Sequence, residues 1–179
     1  MHLTWADTAP GDGPPISTSV QPAEAAALAA LAAQPPWDVL EIGSAYGYSA
    51  VLMALTGAHV TAVDPHTWIG GSLPTMEANL DAYGVAGQVE IVRDHSVPAL
   101  ARMAAAGESF GLVFIDGDHS AQAVRADVAA AMTVLAPGGI LAVHDYGEDC
   151  CCAGVREALD GLYPAGPDEL TGTLFVVKT

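Results

Sequence analysis

Short apolar segments alternate with helix-like segments along this chain, and this alternation limits the possible folds more than any other feature of the sequence. Apolar strands in such an arrangement are typical of a parallel sheet that is covered by helices on both faces. The predicted strands are WDVLEI (37–42), HVTAVD (59–64), QVEIVRD (88–94), FGLVFIDGD (110–118), ILAVHDY (140–146) and GTLFVVKT (172–179).

The helical segments fit between these strands in the order that an α/β fold requires. An alanine-rich helix comes first, in QPAEAAALAALAAQ, and the Pro35–Pro36 pair is expected to end it. Residues 1–20, rich in Pro, Gly, Ser and Thr, are expected to be a flexible arm, and residues 21–179 a single domain. The other predicted helices are YSAVLMALTG, LPTMEANLDAYGV, VPALARMAAAG, a long one in SAQAVRADVAAAMTVLAPGG with Pro-Gly-Gly after it, and GVREALDGLY.

Charge and composition narrow the possible partners. The formal net charge of −16 argues against sequence-independent binding to nucleic acid or to an anionic membrane, since both need a basic face. The acidity can serve solubility alone, or it can recruit a cationic partner. No apolar run is long enough to span a membrane, and no secretion signal is visible. Because all three cysteines are consecutive, at 150–152, we expect a reducing cytoplasm.

Two glycines follow the first predicted strand of the sheet, in EIGSAYG. We call residues 43–47 the glycine turn. Glycine allows positive φ and close approach of a ligand, and the helix after the turn offers free N–H groups to a negatively charged ligand group. Glu41, at the strand end, could accept bonds from an amine-bearing ligand. A tight turn can also need glycine for steric reasons alone, and the spacing differs from the dinucleotide pattern G-x-G-x-x-G, which disfavours a nicotinamide cofactor.

Asp64 ends the second strand of this alternating region, where a carboxylate can accept both hydroxyls of a ribose or can simply cap the next turn. With Asp64 included, the chain resembles the class I S-adenosylmethionine-dependent methyltransferases. It is most similar to the catechol-type O-methyltransferases, on VLEIGSAYGYSAVLMA and ANLDAYGVAGQVEIVRDHS within residues 37–146. The resemblance implies a three-layer, Rossmann-like α/β domain whose mainly parallel sheet has seven strands, or slightly fewer, with the last one reversed.

The resemblance also implies which residues hold S-adenosylmethionine. The glycine turn and Glu41 would bind its methionine part, Asp64 its ribose, and the residues after the third strand would border its adenine. Ser49 would cap the helix after the turn, or it is a helix surface serine. The implied cofactor-binding residues are Glu41, Gly43, Ser44, Tyr46, Gly47, Ser49, Asp64, Pro65, His95, Ser96 and Asp116.

Carboxylates and histidines follow the fourth and fifth strands of the alternating region, in FIDGDHS and AVHDY. Two aspartates at neighbouring strand ends suit Mg²⁺ or another divalent cation, which would lower the pKa of a substrate hydroxyl. The resemblance aligns Asp116 and Asp145 with the metal-binding aspartates of the family. His119 stands where a catalytic lysine is typical and is a candidate general base.

One further difference from the family affects the metal site. Tyr146 replaces the usual asparagine ligand, so either Asp118 or His144 would have to complete the coordination. Asp118 can instead cap the next helix, and His144 can be a structural histidine or the catalytic base. The segments DGDHS and HDY are more similar to small bacterial methyltransferases, which include antibiotic and sugar O-methyltransferases.

The leading expectation is therefore methyl transfer from S-adenosylmethionine to a hydroxyl oxygen of a small molecule, such as a phenol or a sugar of secondary metabolism. Metal-independent transfer with a histidine base and a non-catalytic nucleoside-binding module are the alternatives. Tyr46, Trp68 and Ile69 could form an apolar wall of the substrate pocket, although Trp68 can also pack over the sheet edge. The cysteines at 150–152 could line its mouth, and the short lid makes a homodimer plausible.

Overall fold

A computed structural model describes residues 5–34, 38–147 and 152–179 of the chain. Its centre is a seven-stranded sheet in the order β5-β4-β3-β6-β7-β9-β8. The five strands from β5 to β7 are parallel, whereas β9 is antiparallel to both of its neighbours. The strands are β3 (Asp38–Ile42), β4 (His59–Val63), β5 (Val89–Val92), β6 (Phe110–Ile115), β7 (Leu135–Val143), β8 (Glu169–Thr171) and β9 (Leu174–Lys178).

Six helices cover the two faces of this sheet, which gives the expected three layers. The first three helices pack one hydrophobic core on one face, and the last three pack a second core on the other. The central strand β6 is buried along its whole length, as a strand covered on both faces must be. The helices are α1 (Pro22–Ala32), α2 (Tyr48–Ala54), α3 (Ser72–Ala82), α4 (Ser96–Ala106), α5 (Ala121–Ala131) and α6 (Ala153–Leu162).

The structure confirms the mainly parallel three-layer α/β fold and its reversed strand. The strand β8, which the sequence did not predict, forms a hairpin with β9 and completes the count of seven. At three residues, two of them exposed, β8 is too short to carry a strong apolar pattern. Among the described residues, no helix is long and apolar enough to cross a membrane.

The sequence predicts a long helix that continues up to Pro137, and this prediction is wrong at the end of the helix. The structure ends α5 at Ala131, and β7 begins at Leu135, so the Pro-Gly-Gly segment lies inside a strand. The Val134 carbonyl already accepts the amide of Phe110, 2.8 Å away, which joins this segment to the sheet. Sheet pairing therefore overrides the helical pattern, and the register shifts between the pairs Phe110–Leu135 and Leu112–Ile140 to accommodate the extra residues.

The segment expected to be a flexible arm contains a two-stranded antiparallel hairpin, with β1 at Ala6–Thr8 and β2 at Ile16–Thr18. Ile16 and Val20 are buried in the same core as the first three helices. This segment is thus attached to the domain through apolar contacts. Pro35 and Pro36, expected to end the first helix, lie outside the described residues, and α1 ends before them.

Candidate active site

The carboxyl ends of the parallel strands meet at one edge of the sheet, as ligand sites in such folds require. Among the described non-glycine residues, positive φ occurs at Ala45 (43°), His66 (52°) and Asp145 (63°). These three residues follow β3, β4 and β7 respectively, so all of them lie at this edge. Backbone strain of this kind tends to concentrate at functional sites.

The glycine turn packs directly against the end of β6. A Cβ atom on Gly43 would lie 2.2 Å from the carbonyl oxygen of Asp116, and φ at Gly43 is +88°. Gly47 also has positive φ, and a Cβ there would lie 2.8 Å from the Met76 side chain. Both positions therefore require glycine for steric reasons. The close approach at Gly43 places the turn beside the strand end that carries Asp116.

Glu41 is fully buried, and its Oε1 accepts a hydrogen bond from the Ser49 hydroxyl. Burial raises the pKa of Glu41 to about 8, although the Ser49 bond acts against this rise. The second carboxyl oxygen, Oε2, has no hydrogen-bond partner among the described residues. Ser49 thus binds Glu41 instead of capping the helix, whose N-cap residue is Gly47.

Asp64 connects the ends of two neighbouring strands. Its Oδ2 accepts the amide of Ala45 in the glycine turn at 2.9 Å, and its Oδ1 accepts the amide of His66 at 2.6 Å. Both bonds hold the carboxylate at the sheet edge, where the ribose of the expected cofactor would lie. Pro65, the next residue, is half-buried.

Two residues of the same region, His66 and Asn79, are not among the site residues that the sequence predicts. His66 has a side chain that is 1% exposed, its Nδ1 is 2.9 Å from the Ser72 hydroxyl, and its Nε2 has no hydrogen-bond partner among the described residues. Asn79 donates to the carbonyl of Tyr46 at 2.9 Å and so fixes the middle of the glycine turn. His66 lies outside the quoted motifs, and Asn79 lies within ANLDAYGVAGQVEIVRDHS, but only the fold shows that both side chains meet the turn region.

The serine of the glycine turn and the residues after β5 have contrasting environments. Ser44 is buried, and its hydroxyl has no hydrogen-bond partner among the described residues. His95 is exposed and forms the N-cap of α4, whereas Ser96 donates a short hydrogen bond to Asp127. Burial raises the pKa of Asp127, and the Ser96 bond opposes the rise. Asp127 could have been found in the sequence, because it lies on the buried face of a predicted helix between Val124 and Val128.

The ends of β6 and β7 bring two histidines and two aspartates together, and we call these four residues the His–Asp cluster. His119 Nε2 lies 3.2 Å from Asp145 Oδ2 and 3.8 Å from Asp116 Oδ1. His144 Nδ1 lies 3.3 Å from Asp116 Oδ1 and 3.4 Å from Asp145 Oδ2. The adjacency of these residues, expected from the order of the strands, is therefore present in the structure.

Opposite charges dominate the electrostatics of this cluster. Burial acts to raise the pKa of Asp116, but the adjacent imidazoles of His144 and His119 hold it well below its usual range. Burial acts to lower the pKa of His144, but the surrounding carboxylates raise it far above its usual range. The nearby carboxylates of Asp116 and Asp145 raise the pKa of His119 as well, against the effect of burial.

Glu24 of α1 is an unexpected neighbour of this cluster. Its Oε2 lies 3.0 Å from His144 Nε2, and its side chain is 2% exposed. Burial acts to raise the pKa of Glu24, but hydrogen bonds from His144 and from backbone amides lower it to about 2. The alanine-rich helix gave no sign of this role, because Glu24 reads there as an ordinary first-turn acid.

Asp118 does not join the cluster. It is exposed, and its Oδ1 accepts the amide of Ser120 at 2.7 Å, just before α5 begins.

Cys152 is buried, and its Sγ is 3.6 Å from His119 Nδ1. Cys150 and Cys151, expected near the substrate mouth, lie outside the described residues.

Two sets of side chains at this edge have a geometry that could hold a metal ion. One consists of Asp116, His144 and Asp145, and the other of His119, Asp145 and Cys152, with ligand atoms within 4.8 Å of one another. In the first set, His144 Nδ1 and Asp145 Oδ2 are buried and make no hydrogen bond with any described residue. Buried nitrogen and oxygen atoms grouped in this way are a donor set that fits a divalent cation.

A cavity of about 400 Å³ lies at the opposite edge of the sheet, between residues such as His59, Gln88 and Glu108. This edge holds the amino ends of the parallel strands, away from the glycine turn and the His–Asp cluster. Ligands of open α/β sheets bind at the carboxyl ends, so we place the candidate site by its side chains and not by this cavity.

A known protein family matches more than half of this chain. The family described as a methyltransferase domain matches residues 40–146, which include the glycine turn, Asp64 and the His–Asp cluster. No match to this chain is found among curated proteins.

Several solved structures share the fold. TomG, an O-methyltransferase from Streptomyces achromogenes involved in tomaymycin synthesis and solved with SAM, is 20% identical, with a TM-score of 0.70 over 89% of this chain and 81% of its own. An O-methyltransferase from Bacillus cereus, solved with SAH, is also 20% identical, with a TM-score of 0.67 over 88% and 80%. CalS11, a TDP-rhamnose 3'-O-methyltransferase of calicheamicin biosynthesis, is 17% identical, with a TM-score of 0.68 over 89% and 81%.

Proposed function

The chain belongs to the methyltransferase-domain family, and from this premise we propose that it transfers the methyl group of S-adenosylmethionine to a hydroxyl oxygen of a small molecule. The observation that carries the proposal is the joined arrangement of the glycine turn and Asp64. Asp64 bonds to the backbone of the turn, and the turn packs on the end of β6 without room for a Cβ at Gly43. S-adenosylmethionine bound with its ribose on Asp64 and its methionine part on the glycine turn would lie beside the end of β6, where the His–Asp cluster begins.

The cofactor would be held by residues at the ends of β3, β4 and β5. Glu41 and Ser44 both have a buried oxygen without a hydrogen-bond partner among the described residues, and these atoms are available to the methionine part. The carboxylate of Asp64 would accept the ribose hydroxyls. His95 and Ser96, at the start of α4, would border the adenine.

The proton of the acceptor hydroxyl would be taken by His119. Its ring is only partly buried, and its Nε2 points to Asp145, which would stabilise the imidazolium as it forms. In the reaction, the acceptor oxygen forms a bond to the methyl carbon while the bond from carbon to sulfur breaks. S-adenosylhomocysteine leaves, and the hydroxyl proton remains on His119. Most of the rate enhancement would come from the in-line positioning of the two reactants.

We include a divalent cation such as Mg²⁺ in the proposal because the donors fit one. Asp116, Asp145 and His144 would hold it, with His144 in the place that the sequence left open between Asp118 and His144. A bound cation of this kind would orient the acceptor oxygens and lower the pKa of the hydroxyl. His144 and its unsatisfied Nδ1 support this choice over Asp118, which is exposed and bonded to Ser120.

For the acceptor we propose a phenol or a sugar hydroxyl of secondary metabolism. Tyr46, in the glycine turn, packs edge-on against Trp5 with ring centroids 5.8 Å apart. Trp68 follows β4 at the same edge and is 81% exposed, so its ring is available to a flat substrate. These rings favour an acceptor with an apolar face. CalS11 is named as a methyltransferase of TDP-rhamnose, which is a nucleotide sugar, and TomG as an enzyme of tomaymycin synthesis.

The test combines cofactor binding with turnover. Calorimetry should detect binding of S-adenosylmethionine and S-adenosylhomocysteine, and a panel of phenols and sugars with Mg²⁺ should yield a methylated product by mass spectrometry. Replacement of His119 with Ala should lower turnover about 10²–10⁴-fold while cofactor binding remains. Binding without turnover on any acceptor would favour a nucleoside-binding module, and full turnover in excess chelator would assign the reaction to a metal-independent histidine base.

The proposed partners are limited to this small molecule and a second copy of the chain. A homodimer would cover a site whose own lid is short, and size-exclusion chromatography with light scattering tests it. The strong negative charge disfavours nucleic acid and anionic membranes, and a cytoplasmic location is part of the same proposal.

A further inference from the structure

The buried carboxylate of Glu24 makes four polar contacts with described residues. Oε2 accepts the amide of Gln21 at 2.8 Å and contacts His144 Nε2 at 3.0 Å. Oε1 accepts the amide and the hydroxyl of Thr173, at 2.6 and 2.8 Å. The two oxygens thus face in different directions, one toward the His–Asp cluster and the other toward the turn between β8 and β9.

The contact with Glu24 determines which way the His144 ring faces. Because Nε2 is held by the carboxylate, the other ring nitrogen, Nδ1, faces the oxygens of Asp116 and Asp145 at 3.3 and 3.4 Å. A carboxylate that accepts one N–H of an imidazole fixes the ring orientation and keeps a proton on that nitrogen. The ring is 1% exposed, so water cannot take over this task.

We propose that Glu24 is a positioning residue of this enzyme, which orients His144 so that Nδ1 completes the donor set of Asp116 and Asp145 for a divalent cation. The inference rests on the proposed function, and it adds α1 to the site. Glu24 lies outside residues 40–146, the part of the chain that matches the methyltransferase domain. The pair Glu24–His144 spans 120 positions of sequence, which is why no local motif contains it.

Glu24 also makes structural contacts, and these use its other carboxylate oxygen, Oε1. Gly172, which precedes Thr173, has positive φ, and a Cβ there would lie 2.5 Å from Glu24 Oε1. Glu24 therefore also anchors the β8–β9 turn to α1. Because this anchor uses Oε1 and the contact with His144 uses Oε2, the two roles can be separated by substitution.

The test measures Mn²⁺ binding, as a probe for the divalent site, by electron paramagnetic resonance on the full-length protein without acceptor. Loss of a carboxylate behind a metal-binding histidine weakens metal affinity about 10–100-fold. We expect Glu24→Gln to show a loss of this size. Thr173→Val is the matched control, since it removes only the hydroxyl bond to Oε1. Its Mn²⁺ affinity should stay within about threefold of the wild type, even if its melting temperature falls as much as that of Glu24→Gln.

If Glu24→Gln does not fold, Glu24→Asp provides the test instead. Its shorter side chain keeps the negative charge but moves it away from His144. Wild-type affinity in whichever of these variants folds would overturn the inference, as would a wild-type protein that binds no Mn²⁺. Either result leaves the methyl-transfer proposal standing if calorimetry shows binding of S-adenosylhomocysteine. If that binding is missing while the Mn²⁺ pattern is as expected, the proposed cofactor fails and the role of Glu24 remains.

Discussion

The carboxyl group of Glu41 links the stability of the protein to pH. Its pKa is about 8 in the folded protein because it is buried, compared with 4.5 for a free glutamate. The folded state therefore binds this proton more tightly than the unfolded state does. Stabilisation from this group is complete below about pH 4.5 and is lost as the pH rises toward 8, by at most about 1.4 kcal/mol per pH unit.

We therefore expect Glu41→Gln to remove this loss. Between pH 5 and 8, the free energy of unfolding of the variant should rise relative to that of the wild type. Urea denaturation at several pH values, without cofactor, measures the difference. Asp38→Asn, at the exposed start of the same strand, is the control and should follow the wild type. Parallel pH profiles for Glu41→Gln and the wild type would show that Glu41 titrates normally.

Substitution of Gly43 should have a measurable effect on the stability of the fold. Gly43→Ala should destabilise the fold more than Gly57→Ala, although both glycines have positive φ. Strain in the left-handed region costs about 1–2 kcal/mol at either site. Only at Gly43 does a Cβ meet backbone, and overpacking adds about 1–3 kcal/mol. Equal losses in urea denaturation would mean that the glycine turn does not press on the end of β6.

At the scale of elements, the β1–β2 hairpin is the part of the fold that composition described least well. Its Pro, Gly, Ser and Thr content is typical of a flexible segment, but buried apolar side chains such as Ile16 attach it to the core. A three-residue strand shows no periodicity that a sequence pattern could detect. Tertiary contact, and not local propensity, decides the state of such a segment.

Ile16→Ala tests this attachment. Because Ile16 is 2% exposed, the substitution should cost about 2–5 kcal/mol of unfolding free energy, as in other apolar cores. Ser17→Ala, on the same strand and half-buried, should change it by less than about 0.5 kcal/mol. If the two variants are equally stable in urea, the hairpin is a loose arm and contributes nothing to the core.

For the molecule as a whole, cofactor binding should stabilise the entire fold, since the proposed ligand would contact the ends of three strands. S-adenosylhomocysteine at about 100 times its dissociation constant would add about 2.7 kcal/mol. For a chain of this length the melting temperature would rise by about 5–10 °C. Differential scanning fluorimetry measures the shift.

Asp64→Ala should abolish most of this rise, because the carboxylate proposed to bind the ribose is gone. Asp168→Ala is the control, since the Asp168 carboxylate accepts the amide of Lys178, at the opposite end of the sheet from the glycine turn. A shift of equal size in Asp64→Ala and the control would place the ligand elsewhere.

The order of the elements, and the edge of the sheet that carries the candidate site, can be read from local sequence patterns. Apolar strands of four to six residues bounded by helices can satisfy their backbone and bury their faces in few other ways, so β3, β4 and β6 were predicted within two or three residues. Their carboxyl ends carry the glycine turn, Asp64 and Asp116, and parallel strands place such ends together. These features are local, and local patterns record them.

Only the tertiary structure decided the choices that depend on residues far apart in the chain. It ended α5 early because Val134 pairs with β6, it left Asp118 outside the His–Asp cluster, and it put Glu24 behind His144. Each of these results depends on a competition between contacts, such as pairing against helix or one carboxylate against another. The energies involved are set by burial and by three-dimensional neighbours, which a linear pattern does not contain.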